Sequence, residues 1–267
     1  MIQNHRYVFV GGLHRSGTSL VARLIAGLPG VGAISDAPVP ENEGVYLQGA
    51  IPHTAMHGAP MHFATDPAQH HTEGTRYDTL ETRLRIEADW EPHFGPGHWR
   101  VEKSPVNLSR MRLYQQLFPL SQFVVVIRHP EAVSAATAKW VDLAPDEMLN
   151  HWLDAHEIVA RDLRYLHSAL VLRYEDLVSD PVRAVSCLAA FLQVAAMPTV
   201  PEVYEGNQRY VGQARLSRGQ TRRAHSWGYG PGMQIYPTEL KVSHALRSVR
   251  EQVGACFSAA LQRPPME

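Results

Sequence analysis

The chain of 267 residues contains no apolar run of the roughly 18 residues that a membrane-spanning helix needs. Its opening stretch, Met1 to Arg6, is polar and leads straight into an apolar run, so no secretory leader is expected. Cysteine is nearly missing. The two present, Cys187 and Cys256, stand far apart in sequence, which excludes a disulfide-stapled scaffold and points to buried thiols in a reducing, cytoplasmic setting. There is no excess of either charge: a net charge of −1 argues against a generally basic nucleic-acid binder. Internal repeats and low-complexity tracts are also lacking. With 45% hydrophobic and 19% charged residues, the composition is that of an ordinary globular protein, and residues 1–267 are read as a single domain.

Four apolar runs read as buried strands: Tyr7 to Gly11, Trp99 to Glu102, Gln122 to Ile127 and Ala169 to Leu172. Runs that are apolar on both faces suit a parallel sheet covered on either side by helices. Helical stripes lie between them. Leu20, Val21, Leu24, Ile25 and Leu28 share one face before Pro29-Gly30 ends the pattern, and Met148, Trp152, His156, Val159, Leu163 and Leu166 recur at close to helical spacing from Pro145 onward. Asp180-Pro181 opens a third helix with Val182, Val185, Leu188 and Leu192 inward. Alternation of strand and helix predicts an α/β fold with a largely parallel central sheet flanked by helices. Two stretches, residues 33–98 and 207–232, are expected to be long functional loops, the first punctuated by proline and glycine and the second rich in Arg, Gly and Ser.

The strongest local signal is Gly11-Gly12-Leu13-His14-Arg15-Ser16-Gly17-Thr18-Ser19-Leu20, directly after a strand and opening a helix. A glycine-rich turn lets backbone N–H groups crowd around a phosphate, and the helix N-terminus adds a positive dipole end. Arg15 supplies charge-assisted hydrogen bonds, and Ser16, Thr18 and Ser19 supply hydroxyls. Nucleotide kinases require lysine after the second glycine of such a loop. Thr18 stands there instead, so a triphosphate with Mg²⁺ is not held in the usual way.

This loop resembles the 5′-phosphosulfate loop of sulfotransferases, in particular the branch with arginine where others carry lysine. Three further segments match in order: VEKSP with Lys103, FVVVIRHPEAV with Arg128, and LRYEDLVSDP with Tyr174. The resemblance implies a P-loop-type α/β fold and 3′-phosphoadenosine 5′-phosphosulfate (PAPS) as donor, with no metal. It also implies that Arg15, Ser16, Gly17, Thr18 and Ser19 hold the 5′ end, that Arg128 holds the 3′-phosphate, and that Tyr174 belongs to the nucleotide site.

Two positions depart from the family pattern. The family's serine eight residues after the motif arginine is Ala136 here; Thr137 is the candidate replacement, while Ser134 falls on another helical face. The histidine that cytosolic phenol and steroid sulfotransferases use as base, two residues after the lysine, is Pro105. The chain therefore resembles the carboxylate-base branch, which includes carbohydrate and tyrosyl-protein sulfotransferases.

Sulfuryl transfer needs in-line alignment, a base for the acceptor hydroxyl and positive charge on the leaving phosphate. Lys103 and Arg15 are the candidates for the charge. Glu43, in Pro40-Glu41-Asn42-Glu43-Gly44, is the chosen base, with Glu41 and Asp36 as competitors and His53, His57, His62, His70 and His71 as an imidazole alternative. The spacing of those histidines matches no familiar zinc site. Arg215, Arg218, Arg222 and Arg223, followed by Trp227, form a basic cluster; by the resemblance such a loop closes over the 3′-phosphate, with Arg218 and Arg222 as nucleotide ligands. The expected acceptor is a small-molecule or carbohydrate hydroxyl, with saccharide, lipid-linked, peptide and specialised-metabolite hydroxyls all open, and no nucleic-acid partner is expected. A P-loop nucleotide kinase and a non-catalytic nucleotide-binding protein are the other readings. Oligomeric state is not legible.

Overall fold

The computed structural model describes residues 5–53 and 61–258. Its centre is a six-stranded sheet made of β1 (Arg6–Gly11), β2 (Val31–Ala33), β3 (Trp99–Lys103), β4 (Gln122–Ile127), β5 (Ala169–Arg173) and β6 (Val242–Ser243), in the order β2-β3-β1-β4-β5-β6. The first five are mutually parallel and β6 is antiparallel at the edge beside β5. The fold is the expected α/β arrangement. Of the six strands, β2 and β6 were not anticipated, being only three and two residues long.

Successive residues of a strand point to opposite faces, and here both faces are apolar. Tyr7 and Phe9 of β1, Phe123, Val125 and Ile127 of β4, and Val171 of β5 enter one core. That core is closed by α3 (Leu80–Trp90), α4 (Met111–Leu117), α5 (Pro130–Thr137) and α6 (Pro145–Asp162). Val8, Val10, Val124, Val126, Leu170 and Leu172 enter the other core, closed by α1 (Thr18–Ala26), α7 (Tyr174–Ser179), α8 (Pro181–Leu192) and α10 (Arg247–Ser258). Packing of α8 against α10 brings Cys187 alongside Cys256, both as free thiols. Burial and the neighbouring Cys256 push the Cys187 thiol up.

Several expectations need correction. Residues 33–98 are not one loop: α2 (Gly44–Leu47) and the three-turn α3 lie within them. Thr79 caps α3 by accepting from the Thr82 amide, and Thr82, Ile86 and Trp90 form its buried stripe. Leu80 and Leu84, 68% and 48% exposed, lie off that stripe and obscured its period. Residues 207–232 likewise contain a helix, α9 (Arg218–Ala224), started by a reciprocal Ser217–Gln220 capping box. Val182 does not face inward; it is 62% exposed in the first turn of α8, where only the later Val185, Leu188 and Leu192 reach the core.

Because β1, β3, β4 and β5 are parallel, their carboxyl ends share one side of the sheet, where ligands bind in folds of this kind. Val10 pairs with Lys103, Gly11 with Val125, and Ile127 with Arg173. That register gathers the loop after Gly11, Lys103, Arg128 and Tyr174 at one edge.

Candidate active site

The turn from β1 to α1 holds the phosphate-loop sequence. The Ser16 amide donates to the Leu13 carbonyl at 3.1 Å, closing a tight turn. Arg15 has φ 68° and is exposed at the tip, and Gly17 has φ 100°. A Cβ on Gly17 would also lie 2.9 Å from the Tyr174 ring, so conformation and close approach both demand glycine there. Ser16 is fully buried, and its Oγ has no hydrogen-bond partner among the described residues. Thr18 is buried and Ser19 half-buried.

Glu43 and Lys103, sixty residues apart, meet directly. Lys103 Nζ donates to Glu43 Oε1 at 2.8 Å, with both side chains about nine-tenths buried. Burial pushes the Glu43 carboxyl up to about 7; the Lys103 charge and hydrogen bond pull the other way, and Glu102 and Glu41 add to the rise. Burial, with the nearby Lys103 charge next in weight, holds the His14 imidazole down at about 4, neutral at physiological pH. A cavity of about 380 Å³ opens beside this pair, lined among others by Ser19, Arg23, Glu41, Asn42 and Lys103. A larger cavity of about 570 Å³, at the β5–β6 edge near Trp227 and Phe257, is lined by none of the expected site residues. Size alone therefore does not mark the chemistry.

At the other end of the loop, Arg128 follows β4 and is 6% exposed. Its Nε donates to Asn207 Oδ1 at 2.7 Å and its Nη1 to the Arg15 carbonyl at 2.9 Å. The guanidinium lies 4.3 Å from the centre of the Tyr174 ring. The Tyr174 hydroxyl donates to the Tyr204 carbonyl and accepts from the Gly206 amide, each at 3.0 Å, so residues 204–207 form a strap across Arg128 and Tyr174. Trp152 of α6 donates its Nε1–H to the Arg128 carbonyl at 3.1 Å.

Two buried carboxylates anchor what lies beyond. Glu175 accepts from the His129 amide, Asn207 Nδ2 and the Tyr229 hydroxyl at 2.8–2.9 Å. Glu131 accepts from the amides of Leu216, Gly232 and Met233 at 2.8–3.0 Å.

The family model described as the sulfotransferase family matches residues 7–198, well over half of the chain. The chain belongs to the sulfotransferase family. Among solved structures, it resembles a sulfotransferase from Alicyclobacillus acidocaldarius at 15% identity, covering 82% of this chain and 90% of that one, with a TM-score of 0.49. The sulfotransferase domain of the Synechococcus PCC 7002 olefin synthase matches at 17% identity over 98% of this chain and 97% of that one, TM-score 0.46. Sulfotransferase STF9 from Mycobacterium avium matches at 12% identity over 99% and 78%, TM-score 0.49. No curated protein matches the chain by sequence.

In this sulfotransferase the remaining expected residues lie on α5 and α9. The Thr137 hydroxyl is fully buried and donates to the Val133 and Ser134 carbonyls of its own helix, at 2.7 and 3.2 Å. Its donor is therefore spent on α5, not offered to an anion, and Ala136 beside it is buried without one. Arg218 and Arg222 are exposed on α9. Their neighbour Arg223 pairs with Asp154 and Glu157 of α6, which ties α9 to that helix.

Among the described histidines of the first loop, His70 pairs with Asp162 at 2.7 Å, His62 lies 3.6 Å from Asp66, His71 packs on Tyr77, and His53 packs on Tyr46. Burial, with the Arg110 charge next in weight, lowers His71 to about 4. His57 falls outside the described residues. Asp36 and Glu41 are exposed and both have left-handed backbone, with φ 52° and 54°. Sequence reasoning missed Asn207, Glu102 and Ser104. The last two were legible as the polar residues flanking Lys103 at the end of β3. Among the described residues no helix is long and apolar enough to cross a membrane, and no group of three or more His, Cys, Asp or Glu side chains is placed to hold a metal ion.

Proposed function

We propose that the enzyme, acting as a single domain, transfers the sulfuryl group of PAPS to a hydroxyl of a small-molecule or carbohydrate acceptor, with Glu43 as general base. The observation that carries this reading is the buried Glu43–Lys103 pair beside the phosphate loop, with Glu43 raised to about 7, where a base works best at neutral pH. A nine-tenths buried carboxylate, paired with a lysine that lines a cavity, is an unusual expense unless it takes a proton.

The donor set of the loop suits a phosphosulfate. Arg15 brings a fork of donors at the exposed tip, the buried Ser16 hydroxyl lacks a partner among the described residues, and the start of α1 adds its dipole. Arg128, beside the Tyr174 ring, is the proposed 3′-phosphate ligand; the phosphate takes the place of Asn207 Oδ1 on its Nε. Arg218 and Arg222, exposed on α9, are the proposed further ligands of the 3′-phosphate.

In the transfer, the acceptor oxygen forms a bond to sulfur as the sulfur–oxygen bond to the 5′-phosphate breaks in line behind it. Glu43 takes the acceptor proton. Neutralising Glu43 removes the charge that holds Lys103, and the ammonium is then free to meet the charge growing on the leaving phosphate oxygen, with Arg15 beside it. One proton transfer thus supplies the base step and releases the cation.

The test is turnover of labelled PAPS over an acceptor panel, paired with titration calorimetry of 3′-phosphoadenosine 5′-phosphate and of ATP. Mg²⁺-independent binding of the bisphosphate and sulfate transfer to a hydroxyl acceptor are expected. Tight, Mg²⁺-dependent ATP binding would overturn the donor assignment; nucleotide binding without turnover on any acceptor would make the chain a binder.

A further inference from the structure

Strand β3 runs out in Glu102-Lys103-Ser104, and Glu43-Gly44-Val45 opens α2. The two tripeptides meet residue by residue. Lys103 Nζ donates to Glu43 Oε1 at 2.8 Å, the Gly44 amide donates to Glu102 Oε1 at 2.9 Å, and the Val45 amide donates to Ser104 Oγ at 3.1 Å. Alternation along the strand sends Lys103 to one side and Glu102 and Ser104 to the other, so a single strand end grips both the side chain of Glu43 and the backbone that follows it.

Glu102 is the centre of the grip. It is 1% exposed, and besides the Gly44 amide it accepts from Ser104 Oγ at 2.6 Å and Asn107 Nδ2 at 2.5 Å. Trp90 closes the far side by donating its Nε1–H to the Gly44 carbonyl at 2.8 Å. Gly44 leaves no room for slack: a Cβ there would lie 2.8 Å from Glu102 Oε1 and 2.8 Å from Trp90 Nε1.

We propose that Glu102 is a positioning residue for sulfuryl transfer, holding the Gly44–Val45 backbone through its own carboxylate and Ser104 so that the Glu43 carboxylate sits at the acceptor oxygen. The proposal rests on the reading of Glu43 as base. An ionised carboxylate, an acceptor at every lone pair, suits three converging donors, whereas glutamine would turn an N–H₂ towards one of them; burial pushes the Glu102 carboxyl up, and the bonds from Ser104, Asn107 and the Gly44 amide pull it back down. A buried anion is costly, and three donors offset that cost here. Its charge also acts on Glu43. The groups that face Glu43 are Lys103, which lowers its pKa, and Glu102 and Glu41, which raise it, with the Tyr46 phenol nearby; Glu102 itself faces Lys103 and the buried Tyr114.

The experiment compares Glu102→Gln, Ser104→Ala, Ser104→Thr and Glu43→Gln in kcat, in the pH profile of kcat/KM, and in affinity for 3′-phosphoadenosine 5′-phosphate. Misplacing a reacting group by a fraction of an ångström to one ångström costs on the order of 10- to 100-fold. A fall in kcat of that order is expected for Glu102→Gln and Ser104→Ala, with nucleotide affinity unchanged, because neither residue is read as a nucleotide ligand. Ser104→Thr, which keeps the hydroxyl, recovers rate relative to Ser104→Ala.

Removing the Glu102 charge also moves the acid limb of the profile to lower pH, whereas Ser104→Ala leaves the limb in place. A role in stability alone would not produce that split. Should Glu102→Gln fail to fold, the serine pair and its rescue decide the matter. If Glu43→Gln is inactive while Glu102→Gln and Ser104→Ala keep parental rates and an unmoved acid limb, the positioning role is wrong and the base assignment stands. If Glu43→Gln keeps the parental rate, the base assignment falls and the positioning role falls with it.

Discussion

Replacing Glu43 with glutamine keeps its shape and one acceptor oxygen but removes the capacity to take a proton. General-base catalysis contributes about 10²–10⁴-fold, so kcat is expected to fall by that order while affinity for 3′-phosphoadenosine 5′-phosphate barely changes. The pH dependence follows from the burial of Glu43. With its carboxyl raised to about 7, roughly half of the enzyme carries the base form at neutral pH, and the active fraction drops about tenfold per unit below that. Parental kcat/KM should therefore show an acid limb near pH 7, where an unshifted glutamate would leave the rate flat down to about 4.3.

A second readout is independent of turnover. A carboxyl whose folded pKa lies above its unfolded value contributes stability that is present in full below the unfolded pKa. That contribution is lost as pH rises through about 7. The rise from 4.5 to about 7 amounts to about 3 kcal/mol at most, so Glu43→Gln should gain stability relative to the parent by up to that amount between pH 5 and pH 8. Urea denaturation at the two pH values measures it. An active Glu43→Gln enzyme with its acid limb intact would refute the base assignment. A stability difference that ignores pH would refute the burial argument beneath it. Asp36→Asn and Glu41→Gln are the matched controls, since both carboxylates are exposed.

Arg128→Ala removes a charge-assisted contact worth about 1.5–3 kcal/mol; calorimetry should show bisphosphate affinity weakened by tenfold or more, and parental affinity would displace the 3′-phosphate from this site. Lys103→Met removes the charge that lowers the Glu43 pKa, so the acid limb should move to higher pH as kcat falls; a limb that stays put would show that the 2.8 Å pair does not set the ionisation. Trp152→Phe strands the buried Arg128 carbonyl at a cost of about 1–3 kcal/mol, readable in denaturant unfolding; an unchanged midpoint would mean the carbonyl finds another donor.

Much of this was legible in the sequence because the dominant signals are strong and local. Strands such as Gln122–Ile127 are apolar at every position after the first, and the Gly11–Ser19 turn combines strand, glycine and helix start in the order that a phosphate loop requires. Contact between Glu43 and Lys103 was reachable only through family resemblance, since nothing in the residues themselves links positions sixty apart. The misses have physical causes. The edge strands β2 and β6 are too short to show a period, and α3 scatters leucines off its buried stripe. Thr137 looked like a free hydroxyl because sequence does not reveal that the helix in which it sits will claim its donor. Arg223 read only as a member of the basic cluster, and the partners opposite it, Asp154 and Glu157, lie in a distant stretch of sequence. Glu102 hid beside a better-known lysine.

The bonds made by Glu131 and Glu175 also set the order in which the enzyme comes into being. Their partners lie 32 to 102 positions further along the chain, or 46 positions back in the case of the His129 amide. On the ribosome, the phosphate loop, Lys103 and Arg128 are all made before Asn207, Leu216, Tyr229 and Gly232 exist. Until those residues arrive, two carboxylates destined for the interior have no donors, and the turn around Arg128 has no strap. Contacts of such long sequence separation form late and close large loops at an entropic cost. Nucleotide binding should therefore be the last property a nascent or refolding molecule acquires, after the sheet is already complete from β1 to β5.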